Sequence, residues 1–221
     1  MRYNDWEPIY EEIVKDFGFN RKRDDEAARV ASELLAYKRR KGEKTVKEEV
    51  EELIRGKRVL ICGNAPCLER DIREKEKEFD LFPVSHTYVV IAADGATSVL
   101  LRTGILPDIV CTDLDGIVAD IITANRLGSL VVVHAHGDNI AMLRKVLPAL
   151  NEHVLCTTQS EPLPNVHNFG GFTDGDRCVF LAKEFGALSI ELLGFEFEDE
   201  QVSERKRKKL KWAKRLIEDI L

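Results

Sequence analysis

The chain has 221 residues, a formal net charge of −6 and 44% hydrophobic residues. This length fits one large domain with an appendage or two small domains, and the apolar content suffices for a full core. The acidic balance argues against a nucleic-acid-binding protein, because such proteins usually carry a surplus of basic residues. No apolar run reaches the length of a membrane span, and the first residues lack the apolar core of a signal peptide. We therefore expect a cytoplasmic protein with neither a membrane nor a nucleic-acid partner.

Three amphipathic helices are predicted before the first strand. Apolar residues recur at helical spacing over residues 5–17, from 27 to about 42, and between Thr45 and Gly56. Thr45 is the expected N-cap of the third helix, with Glu48 at the capping-box position. We interpret residues 1–57 as an N-terminal helical cap on a main α/β domain of residues 58–221. A homodimer contact on this cap stays open.

Apolar runs rich in β-branched residues alternate with turns and helical segments from residue 58 onward. Strands are predicted at residues 58–62, from 89, from 107, from 130, at 154–158 and at 189–195, and helices from 67 or 68, at 98–103, at 178–185 and from 204. Fully apolar strands are typical of parallel sheets that are covered on both faces. The predicted fold is therefore α/β, a Rossmann-like, mostly parallel sheet flanked by helices, with an N-terminal helical extension.

Two of these apolar segments, within residues 89–116, each end in acidic residues and glycine. Ligands of open α/β sheets bind beyond the carboxyl ends of the strands, which brings Asp94, Asp113 and Asp115 to that edge. Strand alternation is expected to place Asp113 and Asp115 on one face. Clustered carboxylates at such an edge suit a magnesium ion that carries a polyphosphate.

Two turns could present backbone N–H groups to a phosphate. Gly63 and Asn64 follow the first strand and precede a helix, and Gly95 precedes another, so both helix N-termini can face an anion. For Gly63 and Asn64, phosphate contact and an ordinary βα turn are equally open on position alone. The fingerprint G-x-G-x-x-G is absent, since Ala65 and Leu68 replace its second and third glycines, which counts against a classical NAD enzyme.

Two later segments carry further polar residues. His134 and His136 share one strand face beside Asp138, and we expect His136 or Asp138 to contact ligand or metal, although the spacing does not support a zinc site. Residues 170–177 combine three glycines, a hydroxyl, two carboxylates and an arginine, a density that packing alone does not explain. The glycines permit close backbone approach and the arginine can neutralise phosphate. The candidate ligand-binding residues of this segment are Thr173, Asp174, Gly175, Asp176 and Arg177.

Taken together, these segments resemble the thiamin pyrophosphokinase superfamily, whose D-G-[GA]-x and P-D…[GT]-D-x-D segments match residues 94–97 and 107–115. The chain is more similar to the archaeal 6-hydroxymethyl-7,8-dihydropterin pyrophosphokinases. These proteins add H-x-H-G-D-N, here residues 134–139, and G-F-T-D-G-D-R, here residues 171–177. The resemblance covers roughly residues 59–195. Gly116 stands where thiamin pyrophosphokinases usually have serine, which weakens the thiamin assignment.

The resemblance implies an enzyme of pterin cofactor biosynthesis that depends on Mg²⁺ and uses ATP as co-substrate. It would transfer the β,γ-diphosphate of ATP to the hydroxymethyl oxygen of the pterin and release AMP. The implied metal-linked acids are Asp94, Asp113 and Asp115, two of which, Asp113 and Asp115, are also counted as catalytic. The implied phosphate site is completed by His136, Asp138, Asp176 and Arg177. From the chemistry of the transfer we expect His136 or Asp138 to accept the hydroxyl proton. Three alternatives stay open: a thiamin pyrophosphokinase, a nucleotide-binding module without turnover, and a glycosyltransferase-like use of the D-x-D segment.

Overall fold

Seven strands form one parallel sheet in the computed structural model, which describes residues 1–38, 44–79 and 88–221. The strands are β1 (Arg58–Cys62), β2 (Val89–Ala93), β3 (Ile109–Thr112), β4 (Leu130–Ala135), β5 (Val154–Thr158), β6 (Val166–His167) and β7 (Ser189–Leu193). Their order across the sheet is β6-β5-β4-β3-β2-β1-β7, and every neighbouring pair runs parallel. The predicted α/β fold is confirmed.

Helices cover both faces of this sheet. They are α1 (Tyr3–Phe17), α2 (Arg21–Ala36), α3 (Val46–Ile54), α4 (Leu68–Phe79), α5 (Ala96–Arg102), α6 (Val118–Leu127), α7 (Ile140–Val146), α8 (Asp174–Glu184) and α9 (Glu204–Ile220). Because β1 to β5 lie side by side in chain order, α4 to α7 return over one face, where α2 joins their core. The connection from β6 to β7 recrosses the sheet, and α8 packs with α3 and α9 on the opposite face.

The central strands are mostly apolar because both of their faces are buried. All five residues of β2 are buried: Val90 and Ala92 belong to the core under α4 to α7, whereas Val89, Ile91 and Ala93 belong to the core under α8. Acidic residues such as Asp94 and Asp113 therefore begin where a strand ends, although a few buried polar residues, among them Thr112 and His134, lie within the strands. Since the sheet is parallel, the loops after β1, β2, β3, β4 and β7 meet at one edge.

The helices before residue 58 share cores with the sheet and with the C-terminal helix. Trp6, Tyr10 and Ile13 of α1 pack against α8 and α9, and the Trp6 indole donates a hydrogen bond to the Gln159 carbonyl at 3.0 Å. Thr45 caps α3 together with Glu48, as predicted. The division at residues 57 and 58 and a dimer contact on the cap stay predictions. None of the described helices combines the length and apolar character that crossing a bilayer requires.

Several predicted boundaries are wrong. The predicted end of the second helix near Gly42 lies outside the described residues, and α2 itself ends at Ala36. Strand β7 ends at Leu193 because Gly194 adopts a left-handed φ of 69°. Helix α5 begins at Ala96, because the Thr97 N–H already bonds the Asp94 carbonyl at 2.9 Å. The patterns above do not predict α6, the seven-residue α7 or the two-residue β6; the last two are too short for periodicity to reveal.

Replacing Trp6 by alanine tests whether α1 is an integral part of the core. The Trp6 side chain is 1% exposed and its indole N–H is bonded, so we expect Trp6→Ala to lower the free energy of unfolding by about 3–5 kcal/mol. Urea denaturation followed by circular dichroism measures the loss. Tyr37→Ala, at a tyrosine that is 92% exposed, is the matched control and should change little. A Trp6→Ala loss below about 1 kcal/mol would contradict the docking of α1.

Candidate functional site

Four carboxylates converge at the carboxyl edge of the sheet. Asp94 follows β2, Asp113 and Asp115 follow β3, and Asp174 opens α8. One oxygen from each lies within 4.8 Å of those of the others. Oxygen ligands of this kind and number are the ones that hold Mg²⁺ or Ca²⁺ in proteins. We call these four residues the acidic cluster.

Asp94 is the buried centre of the acidic cluster. Its Oδ2 accepts hydrogen bonds from the Thr112 hydroxyl at 3.0 Å and the Gly116 N–H at 3.2 Å. Its Oδ1 is buried and has no hydrogen-bond partner among the described residues. Burial, reinforced by the neighbouring Asp115, raises the pKa of Asp94 to about 7. An orphaned carboxylate oxygen beside three other acids fits a divalent cation, which would supply the missing partner.

Gly116 is required by the packing of Asp94. A Cβ atom at Gly116 would lie 2.0 Å from Asp94 Oδ1, so any side chain there would have to displace that carboxylate. The backbone at Asp94 itself has a φ of 31°, and Leu114 has a φ of 69°, both rare for residues other than glycine. Strained backbone of this kind is common at functional sites. In this chain a serine at position 116 would therefore push the Asp94 carboxylate out of its observed position.

Asp113 and Asp115 come together by a turn. Strand alternation does not align them as predicted, because β3 ends at Thr112 and Leu114 is left-handed. Instead the Asp115 N–H donates to Asp113 Oδ1 at 3.2 Å, the local bond that an aspartate makes to the backbone two residues on. The resulting turn keeps both carboxylates at the acidic cluster.

His136 holds the other side of Asp113. Its Nε2 lies 3.3 Å from Asp113 Oδ2, and its Nδ1 accepts the Asp138 N–H at 3.3 Å, so the ring proton is assigned to Nε2. Asn139 Nδ2 joins the two strand ends by donating to the Asp113 and His134 carbonyls, both at 2.7 Å. Burial opposes the ionisation of Asp113, but the His136 hydrogen bond and the charge of Arg177 outweigh it and lower the pKa of Asp113.

The remaining acids of the cluster are harder to ionise. Burial and the negative charge of Asp113 raise the pKa of Asp115, and the same two causes raise the pKa of Asp174 well above its usual value. Arg177 offsets part of this repulsion, since its Nη1 donates to Asp174 Oδ1 at 3.1 Å and its Nη2 to the Phe172 carbonyl at 2.6 Å. If all four acids were ionised, the acidic cluster would carry more negative charge than its neighbours compensate.

Helix α8 begins four residues earlier than predicted, at Asp174 rather than Cys178. Asp176 causes this start: its carboxylate accepts hydrogen bonds from the Thr173 hydroxyl at 2.8 Å, the Thr173 N–H and the Phe172 N–H. The pattern Thr-x-x-Asp at residues 173–176 is a helix-start signal that the glycine count obscured. Asp176 is 0% exposed and faces this backbone, so a direct ATP contact by Asp176 stays a prediction.

The other predicted residues lie at the same edge but outside the acidic cluster. Gly63 donates its N–H to the Leu193 carbonyl at 2.8 Å, and the Asn64 amide packs so closely on Gly95 that a Cβ there would lie 2.2 Å from Asn64 Nδ2. Asp138 is 70% exposed and pairs with Arg23 at 3.7 Å. Ligand contacts by these residues stay predictions.

Sequence reasoning missed the support that Asp24 of α2 gives to this edge. Asp24 is 4% exposed and accepts hydrogen bonds from the Gly137 N–H at 2.7 Å, the Gln159 amide at 2.9 Å and the Tyr10 hydroxyl. It therefore links α1, α2 and the loops after β4 and β5. A helical apolar stripe does not reveal such a residue, because its partners are distant in sequence.

Neutralising Asp94 should stabilise the metal-free protein in a pH-dependent way. The folded-state pKa of about 7 lies above the ordinary value of 3.8, so this carboxylate makes stability fall as pH rises between those values. In the presence of a chelator we expect Asp94→Asn to raise the unfolding midpoint by at least about 4 °C near pH 8 and by much less near pH 4. Asp219→Asn, at an aspartate that is 68% exposed, is the matched control. An equal gain at both pH values would contradict the ionisation argument.

Comparison with known proteins agrees with these motifs. The family described as 6-hydroxymethylpterin diphosphokinase MptE-like matches residues 39–201. The chain is 41% identical to the 6-hydroxymethyl-7,8-dihydropterin pyrophosphokinase of Pyrococcus furiosus, over 99% of this chain and 94% of the relative. For proteins of the same name, identity is 43% in Methanothermobacter thermautotrophicus, over 99% and 94% of the two chains, and 36% in Methanocaldococcus jannaschii, over 98% and 95%. The chain therefore belongs to the 6-hydroxymethylpterin diphosphokinase MptE-like family.

Proposed function

We propose that this protein transfers the β,γ-diphosphate of ATP to the hydroxymethyl oxygen of 6-hydroxymethyl-7,8-dihydropterin, giving AMP and the pterin diphosphate. The observation that carries the proposal is the acidic cluster, whose four carboxylates lie within 4.8 Å of one another at the carboxyl edge of the sheet. The names of relatives that align over nearly the whole chain support the choice of reaction.

Mg²⁺ is the metal that we propose for the acidic cluster, held by Asp94, Asp113 and Asp115, with Asp174 as a fourth acid. When bound, it would neutralise the charge on the ATP oxygens during transfer. The chain's own contribution is to hold the acids in place: Thr112 and Gly116 fix Asp94, and His136 fixes Asp113. Without a cation, the ionised carboxylates of the acidic cluster would repel one another. This repulsion agrees with the raised pKa values of Asp94, Asp115 and Asp174.

The phosphate groups of ATP are proposed to lie between the acidic cluster and the start of α8. Hydrogen bonds to Asp174 and to the Phe172 carbonyl fix the Arg177 guanidinium, so its positive charge is already in place at the edge before ATP binds. Thr173 is the N-cap of α8 and Gly175 lies in its first turn, at the helix end whose dipole favours anions.

Asp138 is the better of the two proposed acceptors for the hydroxyl proton. Both ring nitrogens of His136 are engaged, one with Asp113 and the other with the Asp138 N–H. The Asp138 carboxylate is 70% exposed and makes one long ion pair, at 3.7 Å, with Arg23. A carboxylate of this kind can turn toward an incoming hydroxyl without breaking the acidic cluster.

The test of the proposed function is a product assay with ATP and Mg²⁺. Separate reactions receive the dihydropterin alcohol, thiamin or no acceptor, and mass spectrometry follows AMP and the diphosphorylated product. We expect AMP and pterin diphosphate in equal amounts from the pterin reaction alone. Product from thiamin would favour the thiamin alternative, and ATP binding without AMP from either acceptor would favour a binding module.

Removing one negative charge from the acidic cluster should abolish most of the turnover. We expect Asp113→Asn and Asp115→Asn each to lower kcat by about 100-fold or more at saturating Mg²⁺, because each removes a group that stabilises the transferring phosphates. Asp219→Asn, 68% exposed on α9, provides the control for an aspartate change elsewhere. Near wild-type turnover in either variant, with its circular dichroism unchanged, would be incompatible with the proposal.

A further inference from the structure

A cavity opens at the carboxyl ends of β1 and β7, on the edge of the sheet that carries the acidic cluster. It has a volume of about 380 Å³ and is lined by Pro66, Cys67, Arg70, Phe195 and Glu196. This volume is in the range of sites for small molecules. None of these five side chains belongs to the acidic cluster or to the proposed phosphate site. We call this space the β1–β7 cavity.

The β1–β7 cavity adjoins the acidic cluster through Phe195. A Cβ at Gly175 would lie 2.8 Å from Phe195 Cε1, so one edge of the phenyl ring lies against the backbone of Gly175. Gly175 is the residue after Asp174, one of the four clustered acids. The opposite edge of the ring lies against Gly63, where a Cβ would be 2.9 Å from Phe195 Cε2. A molecule resting on Phe195 would therefore have one end beside the acidic cluster.

The charged groups of the β1–β7 cavity are one cation and one anion. The Arg70 guanidinium is tethered, since its Nη2 donates to Asp71 Oδ1 at 3.0 Å while Asp71 Oδ2 accepts the Gly194 N–H at 3.0 Å. Glu196 is exposed and, within the part of the chain that the structure describes, its carboxylate has no hydrogen-bond or ion-pair partner. Phe195 is half-buried, so the aromatic ring forms the inner wall and the carboxylate the mouth.

We propose that the β1–β7 cavity binds the pterin ring of the acceptor, with Phe195 stacked on the ring and Glu196 accepting hydrogen bonds from N3–H and the 2-amino group. This inference rests on the proposed function and names the acceptor subsite. The two parallel N–H groups of that edge match the two oxygens of a carboxylate, as a guanidinium does. The adjacent ring carbonyl is an acceptor that suits the Arg70 guanidinium, which lines the same cavity.

The same chemistry argues against the other rings present in the reaction mixtures. Adenine and the aminopyrimidine of thiamin each place one amino donor beside a ring nitrogen that accepts hydrogen bonds. A carboxylate opposite such an edge would meet a lone pair with one of its oxygens, which is unfavourable. The hydroxymethyl group of the pterin lies at the far end of the bicyclic ring from the N3–H edge. With that edge at Glu196, the hydroxyl points toward Gly175 and the acidic cluster.

Steady-state kinetics of Glu196→Gln test this assignment. The amide keeps the shape of the side chain but replaces one acceptor with a donor, so one hydrogen bond to the pterin becomes a repulsive contact. We expect the KM for the pterin to rise about 10- to 100-fold, with kcat within about twofold of wild type and the KM for ATP unchanged. Glu198→Gln is the matched control: Glu198 is 79% exposed, pairs with Lys214 at 2.6 Å and does not line the cavity.

An acceptor analogue provides the reciprocal change on the ligand. In 6-hydroxymethyl-7,8-dihydrolumazine an oxygen replaces the 2-amino group, so the wild-type carboxylate would face a carbonyl. We expect the wild type to prefer the pterin over the lumazine by at least about 10-fold in kcat/KM, and Glu196→Gln to lose most of this preference.

The outcomes separate this inference from the proposed function. Failure of the wild type to form AMP with the pterin would overturn the function itself. Turnover by the wild type together with an unchanged pterin KM in Glu196→Gln would overturn the subsite alone. A rise in the KM for ATP instead would assign the β1–β7 cavity to adenine. If wild type and Glu196→Gln preferred the pterin over the lumazine equally, Glu196 would not be the residue that recognises the N3–H and 2-amino groups.

Discussion

Mutual repulsion among four carboxylates is the constraint around which this structure is built. Asp94, Asp113, Asp115 and Asp174 come from three separate parts of the chain, and their oxygens approach within 4.8 Å. Like charges do not attract one another, so the local backbone holds these acids in place. Asp94 has a left-handed backbone, Asp113 and Asp115 share an aspartate turn, and Asp174 begins a helix. The stability given up here is the kind of cost that active sites commonly carry.

The N-terminal helices take part in supporting this edge. Asp24 accepts the Gly137 N–H at 2.7 Å, and Gly137 follows His136, which holds Asp113. The path from α2 to the acidic cluster therefore runs through two hydrogen-bonded contacts and one loop. A buried carboxylate with three donors, as Asp24 has, is a rigid anchor because losing any one donor would leave charge unpaired in the interior.

How much the sequence could predict depended on whether a feature was local. Strands such as residues 58–62 and 154–158 were predicted at their observed bounds, because burial on both faces selects a short run of mostly apolar residues. The convergence of Asp94, Asp113 and Asp115 followed from their places at strand ends. Asp174 was assigned to ligand contact but not to the acidic cluster, since its position depends on a helix start that Asp176 sets. Asp24 and the β1–β7 cavity could not be predicted, because they arise from elements far apart in the chain.

The placement of the last elements has a consequence for how the chain folds as it is synthesised. The apolar face of α1, with Trp6, Tyr10 and Ile13, packs on α8 and α9, and the Lys208 ammonium bonds the Asp16 carbonyl across 192 positions of sequence. Strand β7 likewise supplies the outer neighbour of β1 only after six strands have been made. Contacts this distant in sequence form slowly, since a long loop must close first. Helix α1 therefore leaves the ribosome long before the two helices that bury it, and its aromatic face stays without these partners until α8 and α9 have been made.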